Sequence, residues 1–163
     1  MKSPLASETR SYAPYLLVIA LLGTLLALLP IHAGDFGAID FIQYWSAWKL
    51  LASGQNPYDA SLLHDIQATQ TPDLLPLTYS WNPPWTYTLL APFLALPFSL
   101  AARAWLLSQI AILLFIARKA PKALNVQSLG TVGSACAVLA FLPSLYSIRY
   151  GQLGTLFALS AVS

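Results

Sequence analysis

Apolar residues along this chain come in long blocks rather than in a periodic stripe. From Ser11 to Gly34 there is no charge, and Tyr15 to Ile31 is almost unbroken Leu, Ala, Ile and Val. About 20 such residues cross a bilayer, which predicts a first transmembrane helix over 15–31. The competing reading is a signal peptide, since Lys2 and Arg10 precede the run and His32-Ala33-Gly34 is loosely cleavage-like. The apolar core exceeds the roughly 7–15 residues usual for a signal sequence, so an uncleaved anchor is the better reading. Lys2 and Arg10 then hold the N-terminus in the cytoplasm by the positive-inside rule.

The next stretch, 35–84, is polar enough to stay out of the membrane and forms an expected extracytoplasmic loop. Within it Asp40 to Ser53 reads as an amphipathic helix, with Phe41, Tyr44, Trp45, Trp48, Leu51 and Ala52 recurring at helical spacing. Gly54 stops it and Asn56-Pro57 marks a turn. Four of the five tryptophans fall between Trp45 and Trp85. Tryptophan and tyrosine favour the headgroup level, so this helix is expected to lie against the membrane surface.

From Leu74 to Ala102 charge is absent again, but Pro76, Pro83, Pro84, Pro92 and Pro97 interrupt the run. Trp85 to Leu96 is predicted as a helix started by Pro83-Pro84 and broken near Leu96-Pro97. Ala101 to Ala117 is a cleaner apolar helix, closed by Arg118-Lys119-Ala120-Pro121-Lys122. Gly130 to Ile148 is another, rich in small residues that allow close helix packing. An apolar run resumes after Arg149-Tyr150-Gly151-Gln152 and reaches Ser163 without a polar flank, as expected for the front part of a longer protein. Two topologies stay open. If Trp85–Leu96 crosses, Arg118, Lys119 and Lys122 fall outside, against the charge rule. If it only dips in, those cations are cytoplasmic and Arg149–Gln152 lies outside near the acidic loop.

Composition sharpens the class. The 163 residues are 57% hydrophobic and 9% charged, against about 25% charged in a soluble domain. That predicts an integral membrane protein, an all-α polytopic bundle, and excludes a disordered chain, a nucleic-acid binder and a disulfide-stapled module. The net charge of +2 hides a segregation: Asp35, Asp40, Asp59, Asp65 and Asp73 share 35–84 with Lys49 alone, whereas Glu8 is the only acid among seven cations elsewhere. Cys136 is expected to be a small packing residue.

Few residues carry candidate chemistry. Asp65 and Asp73 read as solvated loop charge, and no spacing supports a calcium or magnesium site. Asp40, followed by Phe41, Tyr44 and Trp45, best suits a general base whose proton affinity is raised by apolar neighbours. His32 and His64 read as interfacial or loop histidines, and no glycine-rich phosphate loop or nucleophile elbow is present. Arg103 reads as a side chain snorkelling at a helix end. Arg149 interrupts a long uncharged stretch, as a topology anchor or a contact for an anionic headgroup.

Three blocks together resemble a known family. Asp40-Phe41-x-x-Tyr44-Trp45-x-Ala47 with Leu50-Leu51-x-x-Gly54-x-x-Pro57-Tyr58-Asp59 is similar to the first outer loop of glycosyltransferase family 87, the polyprenol-phosphate-mannose-dependent mannosyltransferases. Tyr79-x-x-Asn82-Pro83-Pro84, running into Leu89-Leu90-x-Pro92-x-x-x-Leu96-Pro97, resembles its Tyr-Pro-Pro and Leu-Pro segment. Gly151-Gln152-Leu153 resembles its Gly-Gln motif. Asn82 departs from the pattern, standing where an aromatic residue is common.

The resemblance spans about 40–159 and implies a membrane glycosyltransferase of the GT-C class. Its fold would be a single membrane domain over 1–163, with further membrane helices over 85–163 in a multi-pass cell-membrane protein. The implied reaction is inverting transfer of a hexose, mannose first, from a polyprenyl-phosphate donor to an envelope lipid or glycan acceptor. By the same resemblance Asp40 is the base and Arg149 a phosphate partner, and Tyr44, Trp45, Tyr58, Asp59, Asn82 and Gln152 contact substrate. Tyr44, Trp45 and Tyr58 serve equally well as loop anchors. The implied partners are donor, acceptor and membrane lipids, with no nucleic acid and no cofactor; a divalent cation has no support in the sequence. The alternatives are a non-enzymatic membrane subunit or transporter component, and a polymerase or ligase of lipid-linked glycans. A transporter places ionisable groups within its spans, whereas the aspartates here fall in the loop, which favours the enzyme.

Overall fold

The structure is a computed structural model that describes residues 38, 40–70, 78–123 and 130–161. The described residues are all-α, in seven helices with no strand among them. The predicted first span over 15–31 lies outside the described residues, as do His32, Asp35 and Asp73.

Helix α1 is Phe41–Ala52. Ser53 and Gly54 end it, Gly54 adopting a left-handed φ of 72° while the Gln55 amide reaches back to the Leu50 carbonyl, the glycine-dependent closure of helix C-termini. The expected amphipathic surface helix is instead a core helix. Ile42, Gln43, Ser46, Ala47 and Leu50 are buried along with Phe41, Tyr44 and Trp45, so burial runs right around its first turns. Helices α2, α3 and α4 cover sides that the apolar spacing had left to solvent. Ala52, counted in the predicted apolar face, is exposed.

Helix α2, Ala60–Ala68, was not foreseen. Asp59 starts it by accepting the Ser61 and Leu62 amides, each at 3.0 Å, an N-cap worth typically about 1 kcal/mol. Gln67 then pins the following chain through Nε2 to the Thr78 carbonyl (2.8 Å) and the Thr78 amide to Oε1 (3.0 Å). Helix α3, Pro84–Leu94, begins at Pro83-Pro84 and breaks before Pro97, as its prolines predict.

Helix α4, Phe98–Ala123, is the longest element. Its stretch Phe98–Lys119, 22 residues at mean hydropathy 1.9, is long and apolar enough to cross a membrane by length and composition. It starts three residues before the predicted Ala101 and continues through Arg118–Lys122, which were expected to close it. The single helix expected from Gly130 to Ile148 is two: α5, Gly130–Ala140, and α6, Leu142–Tyr150. Phe141 is extended, with ψ 123°. Pro143 has no amide to continue the ladder, and its ring would clash with the carbonyl four residues back. Cys136, expected to pack, is exposed on α5. Helix α7 is Gly154–Ser160.

Two apolar clusters sit along α4. The first gathers α1, α3 and the start of α4 around Phe41, Trp45, Phe93, Phe98 and Trp105. Phe41 stacks on Trp105 at 6.1 Å, while Phe93 and Trp105 meet edge to face at 5.6 Å. The second joins Leu106, Leu113 and Ile116 of α4 to Ile148, Val138 and Leu159.

Candidate functional site

The first and third sequence blocks meet at the start of α1, and the second joins the first where Tyr58 reaches Asn82. The third contributes a turn at the end of α6. Gly151, with φ 76°, is the left-handed residue that closes the helix, and the Gly151 and Gln152 amides both return to the Ser147 carbonyl, at 2.9 and 3.0 Å. This Schellman-type closure demands glycine at 151 and turns the chain so that Gln152 projects from it. Gln152 Nε2 donates to Asp40 Oδ2 at 2.9 Å, across 112 positions of sequence. The Asp40 amide donates to the Tyr150 carbonyl at 2.7 Å. The carbonyl end of α6 therefore meets the amide end of α1, with the Asp40 carboxylate beside an N-terminus whose partial positive charge favours an anion. Asp40 makes no side-chain cap to its own helix and is only half-buried.

The second block supplies Asn82. Its carbonyl accepts the Tyr58 hydroxyl at 2.8 Å and the Tyr87 hydroxyl at 2.9 Å, and Tyr87 also pairs with Ser80. The Asn82 side chain lies near enough to Tyr44 to act on its phenol. Burial first, then the nearby Asp40 charge, push the Tyr44 phenol well above its ordinary value, with the Asn82 side chain opposing them in part. Tyr44 is therefore a neutral hydroxyl throughout the physiological range. Asn82, the departure from the family pattern, is the residue on whose carbonyl the Tyr58 and Tyr87 hydroxyls converge.

The remaining candidates are placed differently. Trp45 is buried, its Nε1 donating to the Leu96 carbonyl at 2.9 Å, and Tyr44 is buried too, so neither offers a ring face to a substrate from outside. Tyr58 is exposed, and Asp59 is engaged as the α2 cap. Arg149 is exposed one residue from the Asp40–Tyr150 contact, lying over the Tyr150 ring at 5.8 Å, and Tyr150 stacks on Tyr146 at 5.7 Å. His64 is exposed beside Asp65. Among the described residues no three His, Cys, Asp or Glu side chains lie close enough to hold a metal ion together.

Residues not flagged by the sequence complete the surroundings. Gln43, one turn beyond Asp40, is buried with its Oε1 unpaired. Trp105 Nε1 donates to the Gly151 carbonyl at 2.7 Å. An isolated tryptophan in an apolar helix gives no signal in sequence, because only the fold brings it to a turn over forty residues away. Compared with known proteins, the chain matches no family model, no curated protein and no solved structure.

Proposed function

We propose that the protein is a multi-pass membrane glycosyltransferase with its site on the outer face. More particularly, we read it as a relative of glycosyltransferase family 87 that moves a hexose, mannose first, from a polyprenyl-phosphate donor to an envelope lipid or glycan acceptor. The observation that carries this reading is the contact of Gln152 with the half-buried Asp40 carboxylate, which joins the third block to the first across 112 positions.

The topology with α3 on the outer side has structural support. At about 1.5 Å per residue, the 11 residues of α3 reach roughly half of a ~30 Å hydrocarbon core. Trp105, near the start of α4, bonds Gly151, while Arg118 and Lys119 lie near the other end of that helix. With those cations in the cytoplasm, Asp40 and Gln152 share the outer face.

In this mechanism the Asp40 carboxylate takes the proton of the acceptor hydroxyl as its oxygen attacks the anomeric carbon. The bond from that carbon to the donor phosphate oxygen breaks, its electron pair leaves with the polyprenyl phosphate, and the configuration inverts. Gln152 fixes one carboxylate oxygen and leaves the other to the acceptor. Arg149 at the rim is the group to steady the departing phosphate. A non-enzymatic membrane subunit is the alternative. The test is an assay of membranes containing the protein with labelled polyprenyl-phosphate mannose. Transfer of label to a lipid or glycan acceptor supports the enzyme, and its absence with the full range of polyprenyl-phosphate hexoses supports the subunit.

A further inference from the structure

Two buried side chains of α4 take no part in that chemistry, yet both end on the Gly151–Gln152 turn. Trp105 is 1% exposed and Gln109, one turn further on, is 0% exposed. The Gln109 amide, oriented so that its nitrogen meets a carbonyl, donates from Nε2 to the Ser147 carbonyl at 2.9 Å, and its Oε1 accepts from Trp105 Nε1 at 2.7 Å. The same indole N–H reaches the Gly151 carbonyl at 2.7 Å. Ser147 is the residue whose carbonyl closes the turn by accepting the Gly151 and Gln152 amides.

A helix C-terminus leaves its last carbonyls without intrahelical donors. At α6 those carbonyls are satisfied from outside: Tyr150 by the Asp40 amide, Gly151 by the Trp105 indole, and Ser147 additionally by Gln109. An amide buried at the middle of an apolar helix is costly unless fully bonded. Leucine or methionine would fill the volume, so the hydrogen-bonding capacity of Gln109 is what the turn uses.

We infer that Trp105 and Gln109 are positioning residues that lock the Gly151–Gln152 turn onto α4 and thereby hold the Asp40 carboxylate in a fixed orientation. The chain of contacts runs from Gln109 through Trp105 to Gly151, and from Gln152 to Asp40. The kinetic part of this inference rests on reading Asp40 as the reacting group, whereas the structural part stands without it.

The test is backbone hydrogen exchange on the whole protein in lipid nanodiscs, followed at the Asp40, Gly151 and Gln152 amides. Gln109→Met keeps volume and helix propensity but removes both bonds, and Trp105→Phe removes the indole N–H. Loss of one buried hydrogen bond corresponds to about a tenfold change in a local opening equilibrium. Each variant is expected to speed exchange at those three amides by about that factor, while the α2 amides, such as Leu62 and Leu63, keep wild-type rates. Unchanged exchange at 40, 151 and 152 in Gln109→Met overturns the inference. If Trp105→Phe loosens the whole protein, Gln109→Met decides alone. In the transfer assay both variants should lower kcat with KM unchanged, and a rise in KM alone would contradict the positioning role. If wild-type membranes transfer no sugar but exchange responds as expected, the proposed function fails and the positioning device stands.

Discussion

The two ends of α4 are packed by different rules. At its start, α1, α2 and α3 form an aromatic core threaded with polar pairs: Ser46 with Gln67, Gln67 with Thr78, Tyr87 with Ser80 and Asn82. Among the described residues of α1–α3, only Gln43 Oε1 is a buried side-chain polar atom left without a partner. At its other end, α5, α6 and α7 pack through aliphatic and small residues around a groove of about 360 Å³, lined by Leu113, Ile116, Val138, Phe141, Ser144 and Thr155. There Thr155 is 2% exposed with its hydroxyl unpaired, and Phe141, Leu142 and Phe157 face outward at 61–64% exposure. Polar networks fix a geometry because each buried group has few acceptable positions. The candidate base accordingly belongs to the first half, and the second contributes the end of α6 with Arg149 and Gln152.

The largest effect on this contrast should come from Tyr87→Phe. It strips Asn82 of one donor and leaves buried Ser80 without its partner, for an expected loss of about 1–3 kcal/mol in equilibrium unfolding in detergent. Next come two glycines with similar backbones and different consequences. Gly54→Ala and Gly151→Ala each force an L-residue into the left-handed region, costing about 1–2 kcal/mol. Only Gly151→Ala should also slow sugar transfer, because its turn carries Gln152 to Asp40, and equal effects of the two on transfer would remove the special role of that turn.

Alkaline pH probes the same network. The Tyr44 phenol is raised in the folded protein, so the folded state holds its proton more tightly than the unfolded chain does. Its contribution to stability is complete below the ordinary tyrosine value of about 10 and is lost as the pH climbs beyond it. Tyr44→Phe should flatten that alkaline decline in a pH series of melting temperatures. The smallest effect is expected in the second half, where Thr155→Val removes an unpaired buried hydroxyl. It should leave stability unchanged or raise it by up to about 1 kcal/mol, read from the same unfolding curves.

Much of the helical order was legible in the chain because prolines and glycines punctuate it. Pro83-Pro84 starts α3 and Gly54 follows α1, as their backbone constraints require. Asp59 was read as a contact for substrate, although its position two residues before Ser61 also carries the N-cap signal that it fulfils. The burial right around the first turns of α1 is not legible, since its apolar spacing marks one face and cannot reveal that other helices cover the rest. The break at Phe141 lies inside a continuous apolar stretch, where Pro143 alone marks the boundary. At the site, Asp40 and Gln152 were named separately, but no local pattern announces a contact across 112 positions. Trp105 and Gln109 were silent for the same reason.

The most direct test of the central claim is the rate of sugar transfer by Asp40→Asn in membranes that hold wild-type levels of the protein. Asparagine keeps the size and can still meet Gln152, but it cannot take a proton from the acceptor hydroxyl. The account predicts a loss of about 10²–10⁴-fold with exchange at Gly151 and Gln152 unchanged. Transfer within a few-fold of wild type would contradict it and remove Asp40 from the reaction.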